Sequence, residues 1–440
     1  MKIMRNTPIN YEVVNRKIKE SGIKQVGRAS IRELLKIVSQ IEAETGEKYI
    51  RMEMGVPGLP PAKAGVEAEL EAHARGVAAI YPNIEGVAEL KTEMKRFVKL
   101  FLDIELPEHC CIPTVGSMMG GFAAFMTLGR MYENRVANLF IDPGFPVQKQ
   151  QMKVLGQDFD TFDVYDFRGD KLRDKLESYL STGRFVSLLY SNPNNPSWIC
   201  FTEDELKTIA EVADKYNVTV IEDLAYFGMD FRKNYAVPGQ PPYQPTAAKY
   251  TDNFILLISS SKAFSYAGQR VGMMIVSEKL FKTKADDLRR FYTTDTFGNS
   301  LIFGTLYAVS SGTAHTAQYG LAGILKAVNE GTYNYRNDVL DYEDKARIMK
   351  KMFTDNGFNI VYDKDLDEPI ADGFYFTIAY KGFSGEELVE EMLYYGISAI
   401  ALSITGSMRL EGVRACVSLV KRSQFPDLEK RLIAFNNDHS

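Results

Sequence analysis

Histidine, cysteine and long apolar runs are scarce in this chain, and each shortage removes a class of chemistry. The four histidines, His73, His109, His315 and His439, show no HExxH spacing and lie near no CxxC pair, so neither a zinc site nor a histidine-driven nucleophile is supported. The four cysteines, Cys110, Cys111, Cys200 and Cys416, form no CxxC pair. Neighbours such as Cys110 and Cys111 rarely bridge one another, and the set reads as reduced cytosolic thiols. No dense Lys/Arg run occurs, and a net charge of -5 over 440 residues is small, which offers little to a nucleic-acid backbone or an anionic membrane. No stretch is long enough to span a bilayer, and the opening MKIMRNTPINYEVVNRK lacks the apolar core of a signal peptide; the cytoplasm is the expected location. G-x-G-x-x-G and the P-loop pattern are both missing, which disfavours a nucleotide enzyme.

What is present is ordinary globular composition, 45% hydrophobic and 25% charged, on a chain long enough for two domains and a sizeable buried site. Short apolar runs alternate with amphipathic helical stretches, the pattern of a mostly parallel α/β sheet. Five runs stand out, Ile112 to Val115, Ala137 to Ile141, Val186 to Tyr190, Val218 to Ile221 and Phe254 to Ile258, each near-continuously apolar like a strand covered on both faces. Between them, Thr202 to Tyr216 begins with a Thr followed three residues later by Glu205 and places Leu206, Ile209, Ala210 and Ala213 on one face; this spacing predicts a capped surface helix. After about residue 310 a long helical tract gives way to the apolar segments Gly373 to Ala379 and Val413 to Val420, which suggests a separate α+β lobe. Residues 1–50 read as a helical segment joining that lobe, 51–310 as a large α/β domain and 311–440 as the small C-terminal domain.

Ligands of open parallel sheets bind beyond the carboxyl ends of the strands, and here those ends are polar or glycine-rich. The five runs lead into GSMMGG from Gly116, DPGFP from Asp142, SNPNNPSW from Ser191, EDLAY from Glu222 and SSSKAFSYAGQR from Ser259. The last places Lys262 beside several hydroxyls and eight residues before Arg270. Hydroxyls and Arg suit a phosphate, and a partly desolvated lysine amine is available to carbonyls. Asp223 and Tyr226 follow their strand three residues apart, so a turn there aims an acid and a phenol at one crevice. Two Asn-Pro steps hold Asn195 on a rigid turn of the kind in which cis peptide bonds occur. Taken one at a time, each residue also admits an ordinary structural reading: a solvated lysine, an Asp capping a turn, an Asn filling one.

In this order, from about Gly55 to Arg414, the segments resemble the class I/II aminotransferases of the fold-type-I pyridoxal-phosphate (PLP) enzymes, aspartate aminotransferase-like. The resemblance implies a large αβα sheet domain with a smaller α+β domain. SSSKAFSYAGQRVG looks like the family's cofactor signature, making Lys262 the lysine that holds PLP as a Schiff base, with Ser259 and Arg270 as phosphate ligands. EDLAY looks like its D-x-x-Y, which gives Asp223 the pyridine nitrogen and Tyr226 the ring's phenolic oxygen. Asn195 corresponds to the Asn of the family's NPTG turn, beside cofactor and substrate, although Trp198 stands where that turn has glycine. A large side chain adopts positive φ only at a cost, so the shape of the turn after Asn195 is open. Ser117 and Met118 take the positions whose backbone amides grip the phosphate at a helix start, and Phe145 that of the ring stacked on the cofactor. YPNIEGVAELK resembles the motif whose Tyr reaches the neighbouring subunit's phosphate, so Tyr81 implies a homodimer with shared active sites. Gly55 resembles the glycine that approaches substrate, and Arg414 in GVRACVS the arginine that clamps the α-carboxylate, a task suited to a planar fork.

The implied reaction is a ping-pong transfer of an amino group from an L-amino acid to a 2-oxo acid, with Lys262 moving the Cα proton. Other PLP chemistry on the same scaffold, a carbon-sulfur lyase or a cyclopropane-forming synthase, shares these motifs, and a PLP-binding regulatory domain would need a basic helix-turn-helix ahead of it, which the short N-terminal region does not offer. Ser259 to Lys262 also spells S-x-x-K, yet no S-D-N or K-T-G accompanies it. Side-chain specificity stays open: Thr293 and Thr294 stand near TFGNS, where aspartate-preferring relatives commonly carry an arginine, while Arg28, Arg289 and Arg290 offer charge from elsewhere.

Overall fold

The computed structural model describes residues 7–440, so the first six residues of the N-terminal reading lie outside the described residues. The described residues form two compact units. The larger comprises Leu59–Asn194 and Cys200–Val339; the smaller comprises the described residues up to Gly58, the short insert Asn195–Ile199, and Leu340–Ser440.

In the larger unit, the described residues form a seven-stranded sheet from β1 (Cys111–Thr114), β2 (Ala137–Asp142), β3 (Phe159–Asp163), β4 (Phe185–Ser191), β5 (Thr219–Leu224), β6 (Phe254–Ser259) and β7 (Gly272–Val276), in the order β1-β7-β6-β5-β4-β2-β3. Only β7 among these runs antiparallel to its neighbours. The five apolar runs are all strands, with ends shifted by at most three residues, because side chains covered on both faces leave no polar alternation to disrupt. Sequence reading missed β3 and β7. β3, FDTFD, is half-exposed over its first three residues at the sheet edge and is rich in polar residues instead of running apolar. The helix Glu203–Lys215 has the expected capping box, with Thr202 Oγ1 accepting from the Glu205 N–H at 3.2 Å and Glu205 Oε2 accepting from the Thr202 N–H at 3.0 Å. Its Leu206, Ile209, Ala210 and Ala213 are buried.

The expected boundary near residue 310 falls instead inside the helix Tyr335–Asp355, between Val339 and Leu340. The reason is packing. The helix His315–Asn329 buries Leu321, Ile324, Leu325 and Val328 and lies against Lys63–Ala74 and Ala88–Leu102 of the larger unit, with Gly65 leaving room for Ile324. Likewise the boundary expected at residue 50 falls after Gly58.

In the smaller unit, β8 (Phe358–Ile360), β9 (Tyr375–Tyr380), β10 (Ile400–Ala401) and β11 (Val413–Cys416) form an antiparallel sheet in the order β10-β11-β9-β8. Ile50–Arg51 pairs in parallel with Ile397–Ser398, and helices Tyr11–Glu20, Ile31–Thr45, Gly385–Tyr394 and Phe425–His439 complete the unit. Among the described residues no helix is long and apolar enough to cross a membrane.

Candidate active site

The larger unit gathers its polar residues where the parallel strands end. β4 and β5 finish in register, Ser191 opposite Asp223, and β6 finishes with Ser259 opposite Gly272 of β7. Ser259 Oγ accepts from the Ser261 N–H at 3.1 Å, capping the short helix Ser260–Ala263 on which Lys262 stands half-buried. Asp223 is buried, its Oδ2 accepting from Gln148 Nε2 at 2.8 Å and its Oδ1 from the Ala225 N–H at 3.1 Å. Burial pushes its carboxyl up to about 6; the Gln148 amide, the Ala225 N–H and the positive charge of Lys262 all pull the other way without cancelling the loss of water. Tyr226 follows on the next turn and is buried.

Beyond β1, the helix Gly116–Leu128 opens without a side-chain cap, so its first amides are available to an anion. Gly116 has φ +66°, and a Cβ there would sit 2.6 Å from Arg270 Nη2. Arg270 thus lies over the helix start, with Nη1 donating to the Ala267 carbonyl at 2.9 Å. Gly272 keeps the adjacent strand close, since a Cβ there would meet the Ser117 amide nitrogen at 2.9 Å. Ser117 and Met118 are half-buried on this first turn. Phe145, half-buried and preceding the helix Pro146–Leu155, is not a core residue. The larger unit therefore holds an amine, a buried acid and an anion cradle at one end of one sheet.

The smaller unit holds the other candidates. Arg414, 1% exposed, donates from Nη1 to Asn195 Oδ1 at 3.1 Å and from Nη2 to the Glu53 carbonyl at 2.6 Å. Its Nε is buried without a hydrogen-bond partner, and among the described residues no ion pair reaches it. The guanidinium carbon stands 4.5 Å from the Tyr375 ring centroid. Gly55 is glycine of necessity, since a Cβ would overlap the Tyr375 hydroxyl. The Asn192–Pro193 and Asn195–Pro196 bonds are both cis, and Trp198 does adopt φ +65° in the turn where glycine was the expected residue. Tyr81 is not gathered with the others; it is 91% exposed on the larger unit.

Gln148 and Tyr375 escaped the sequence reading. Gln148 lies three residues after Phe145 on the first turn of a helix, and that spacing put it on the same side; no sequence signal identified Tyr375. The arginines named as possible side-chain ligands are each engaged in an ion pair: Arg28 with Glu386, Arg289 with Asp295, and Arg290 with Glu133 and Asp287.

The family model described as aminotransferase class I and II matches residues 47–317. The chain is 24% identical over 351 residues to the probable aspartate aminotransferase of Methanocaldococcus jannaschii, covering 78% of this chain and 84% of that one. It is 23% identical over 331 residues to the LL-diaminopimelate aminotransferase of Natranaerobius thermophilus, covering 74% and 77%. Among solved structures, the aspartate aminotransferase of Thermotoga maritima superposes with a TM-score of 0.73 at 18% identity, over 96% of this chain and 99% of that one. A double mutant of the Thermus thermophilus aspartate aminotransferase gives 0.74 at 14%, over 96% and 98%. At these identities the structural likeness establishes the fold.

Proposed function

This chain belongs to the class I and II aminotransferase family and is an aminotransferase; from that premise we propose that it moves an amino group from an L-amino acid to a 2-oxo acid in a ping-pong sequence with pyridoxal 5'-phosphate as cofactor. The observation that carries the cofactor assignment is Asp223. A carboxyl buried at a strand end, raised to about 6 and with no ion pair among the described residues, carries its charge at neutral pH at a cost that an incoming cation would relieve, and a protonated pyridine nitrogen is such a cation. The cradle of Gly116, Arg270 and the uncapped helix start fits a phosphate by the same logic.

When bound, the cofactor supplies a carbonyl that takes up amines and a ring that withdraws electrons from the substrate Cα. The chain's own residues do the rest. Arg270, Ser259 and the amides of Ser117 and Met118 hold the phosphate, Phe145 covers the ring, and Asp223 keeps the ring nitrogen protonated while Gln148 orients the carboxylate. Tyr226 and Asn195 donate to the ring's phenolic oxygen. Arg414, a buried cation lacking a carboxylate partner, takes the substrate α-carboxylate beside Gly55. Lys262 Nζ would hold the cofactor carbonyl in the resting enzyme and, as a free amine, would accept the substrate Cα proton and return it.

Two experiments test this reading. Borohydride reduction of the loaded protein should attach one cofactor mass to the peptide bearing Lys262, and Lys262→Ala should abolish both the label and turnover. A label on another side chain would refute the assignment. Tyr81, 91% exposed beside the 61% exposed Ile80, supports a homodimer in which it serves the neighbouring subunit's phosphate. Sedimentation should give twice the 49.6 kDa chain mass, and an active monomer would overturn that part. The four unbridged, buried cysteines support a reducing compartment, the cytoplasm, as the place of work.

A further inference from the structure

The sole tryptophan of the chain occupies a costly place. Trp198 holds φ +65°, a conformation that bulky L-residues adopt reluctantly, and its side chain is completely buried. Room for the indole exists because residue 373 is glycine: a Cβ there would overlap Trp198 Cε2. Two residues on, the Tyr375 ring meets the indole edge-to-face, with centroids 6.1 Å apart and planes at 70°. Another neighbour of Tyr375 is Arg414, which faces Thr377 across the β9–β11 pair and so stands diagonal to Tyr375 on the same side of the sheet. Asn195, three residues before Trp198, accepts from Arg414 Nη1. The contacts close a ring: Trp198 to Tyr375, Tyr375 to Arg414, Arg414 to Asn195, and Asn195 through the backbone to Trp198.

We propose that Trp198 is a positioning residue for the substrate: with Tyr375 it forms an aromatic bracket that fixes the plane of the Arg414 guanidinium, leaving Nε and the unused Nη hydrogens aligned for a carboxylate. The proposal rests on Arg414 being the carboxylate ligand. The physical case is that a guanidinium buried without a counter-ion has only two hydrogen bonds to neutral acceptors. The face of Tyr375 supplies the remaining electrostatic support, and the indole keeps that face from tilting. A tryptophan that merely filled space would not need to stand behind the one ring that touches the arginine.

The test separates this role from simple packing. In the loaded enzyme, Trp198→Leu should raise KM for amino donors, and the inhibition constant of an unreactive dicarboxylate such as maleate, by about tenfold, the scale of a desolvated cation–π contact. kcat should stay within about twofold, and the rise in KM should exceed any loss of cofactor affinity, because Trp198 reaches the cofactor ligand Asn195 only through the backbone. Tyr375→Leu should do the same, Tyr375→Phe should behave as the parent, and the Trp198→Leu/Tyr375→Leu pair should be no worse than either alone, since both act through one guanidinium. Should Trp198→Leu fail to fold, Gly373→Ala, which pushes the indole by one methyl, carries the same expectation. An unchanged KM in these variants, with Arg414→Lys raising it, would overturn the proposal while leaving the clamp intact. An unchanged KM in Arg414→Lys would overturn the clamp itself.

Discussion

Replacing Asp223 by Asn in the cofactor-free protein is expected to increase its stability, by an amount that grows from about pH 4 to about pH 6 and is constant above. The carboxyl lies buried near the end of β5, where burial lifts it from 3.8 to about 6. A group whose folded value lies above its unfolded one holds its proton more tightly in the native chain, so ionising it costs native stability. Below pH 3.8 both states carry the proton and nothing is lost; above about 6 both are ionised and the folded chain bears the full penalty. That interval corresponds to about 3 kcal/mol. Asn keeps the shape and still accepts from the Ala225 N–H, and the Gln148 amide can turn to present its oxygen. Urea unfolding of the two cofactor-free proteins across about pH 5 to 8 should therefore show the variant gaining on the parent as pH rises, then levelling. Comparing the pair at each pH largely removes the contributions of Glu222 and Asp142, whose carboxyls burial also raises, to about 7 and about 6. With cofactor bound the order should reverse, because a protonated ring nitrogen gives the Asp223 charge a partner that Asn cannot replace. A stability gap that ignores pH, or a parent that gains on the variant as pH rises, would refute the reasoning.

Gly116→Ala should weaken cofactor binding by about tenfold with the fold retained, since its methyl displaces Arg270, while the φ of +66° adds a separate cost of about 1–2 kcal/mol to folding; an absorbance titration with cofactor checks this, and unaltered affinity would remove Arg270 from the cradle. Glu222→Gln should also stabilise the cofactor-free protein as pH rises, by up to about 3 kcal/mol above pH 7. Glu222 Oε2 accepts from Thr246 Oγ1 at 2.6 Å and the Ala247 N–H at 3.2 Å, contacts that the neutral amide oxygen reproduces. Because successive strand residues face opposite ways, the loaded variant should keep most of its turnover, and a collapse of activity would show that Glu222 serves Asp223 directly.

How much of this protein was legible in its residues depended on the range over which each signal acts. β1, β2, β4, β5 and β6 were readable because a strand covered on both faces must be apolar throughout, and the helix after Thr202 because its cap and stripe are local. β3 went unseen because FDTFD, partly exposed over its first three residues, carries no such run. The helix His315–Asn329 was given to the wrong side of the domain boundary because amphipathicity says that a face is buried but not against what.

The same division runs through the site. The resemblance carried by the order of the motifs named Lys262, Asp223, Ser259 and Arg270 as candidates, since a strand end, a turn and a glycine-rich loop are each written in a few adjacent residues. Only the folded structure decided that Gln148 would hold Asp223, that Arg414 would be buried without a counter-charge, and that Tyr375 and Trp198 would stand beside it. Those contacts join residues from 39 to more than two hundred positions apart, and no local preference of the chain encodes which distant side chain will share a buried space.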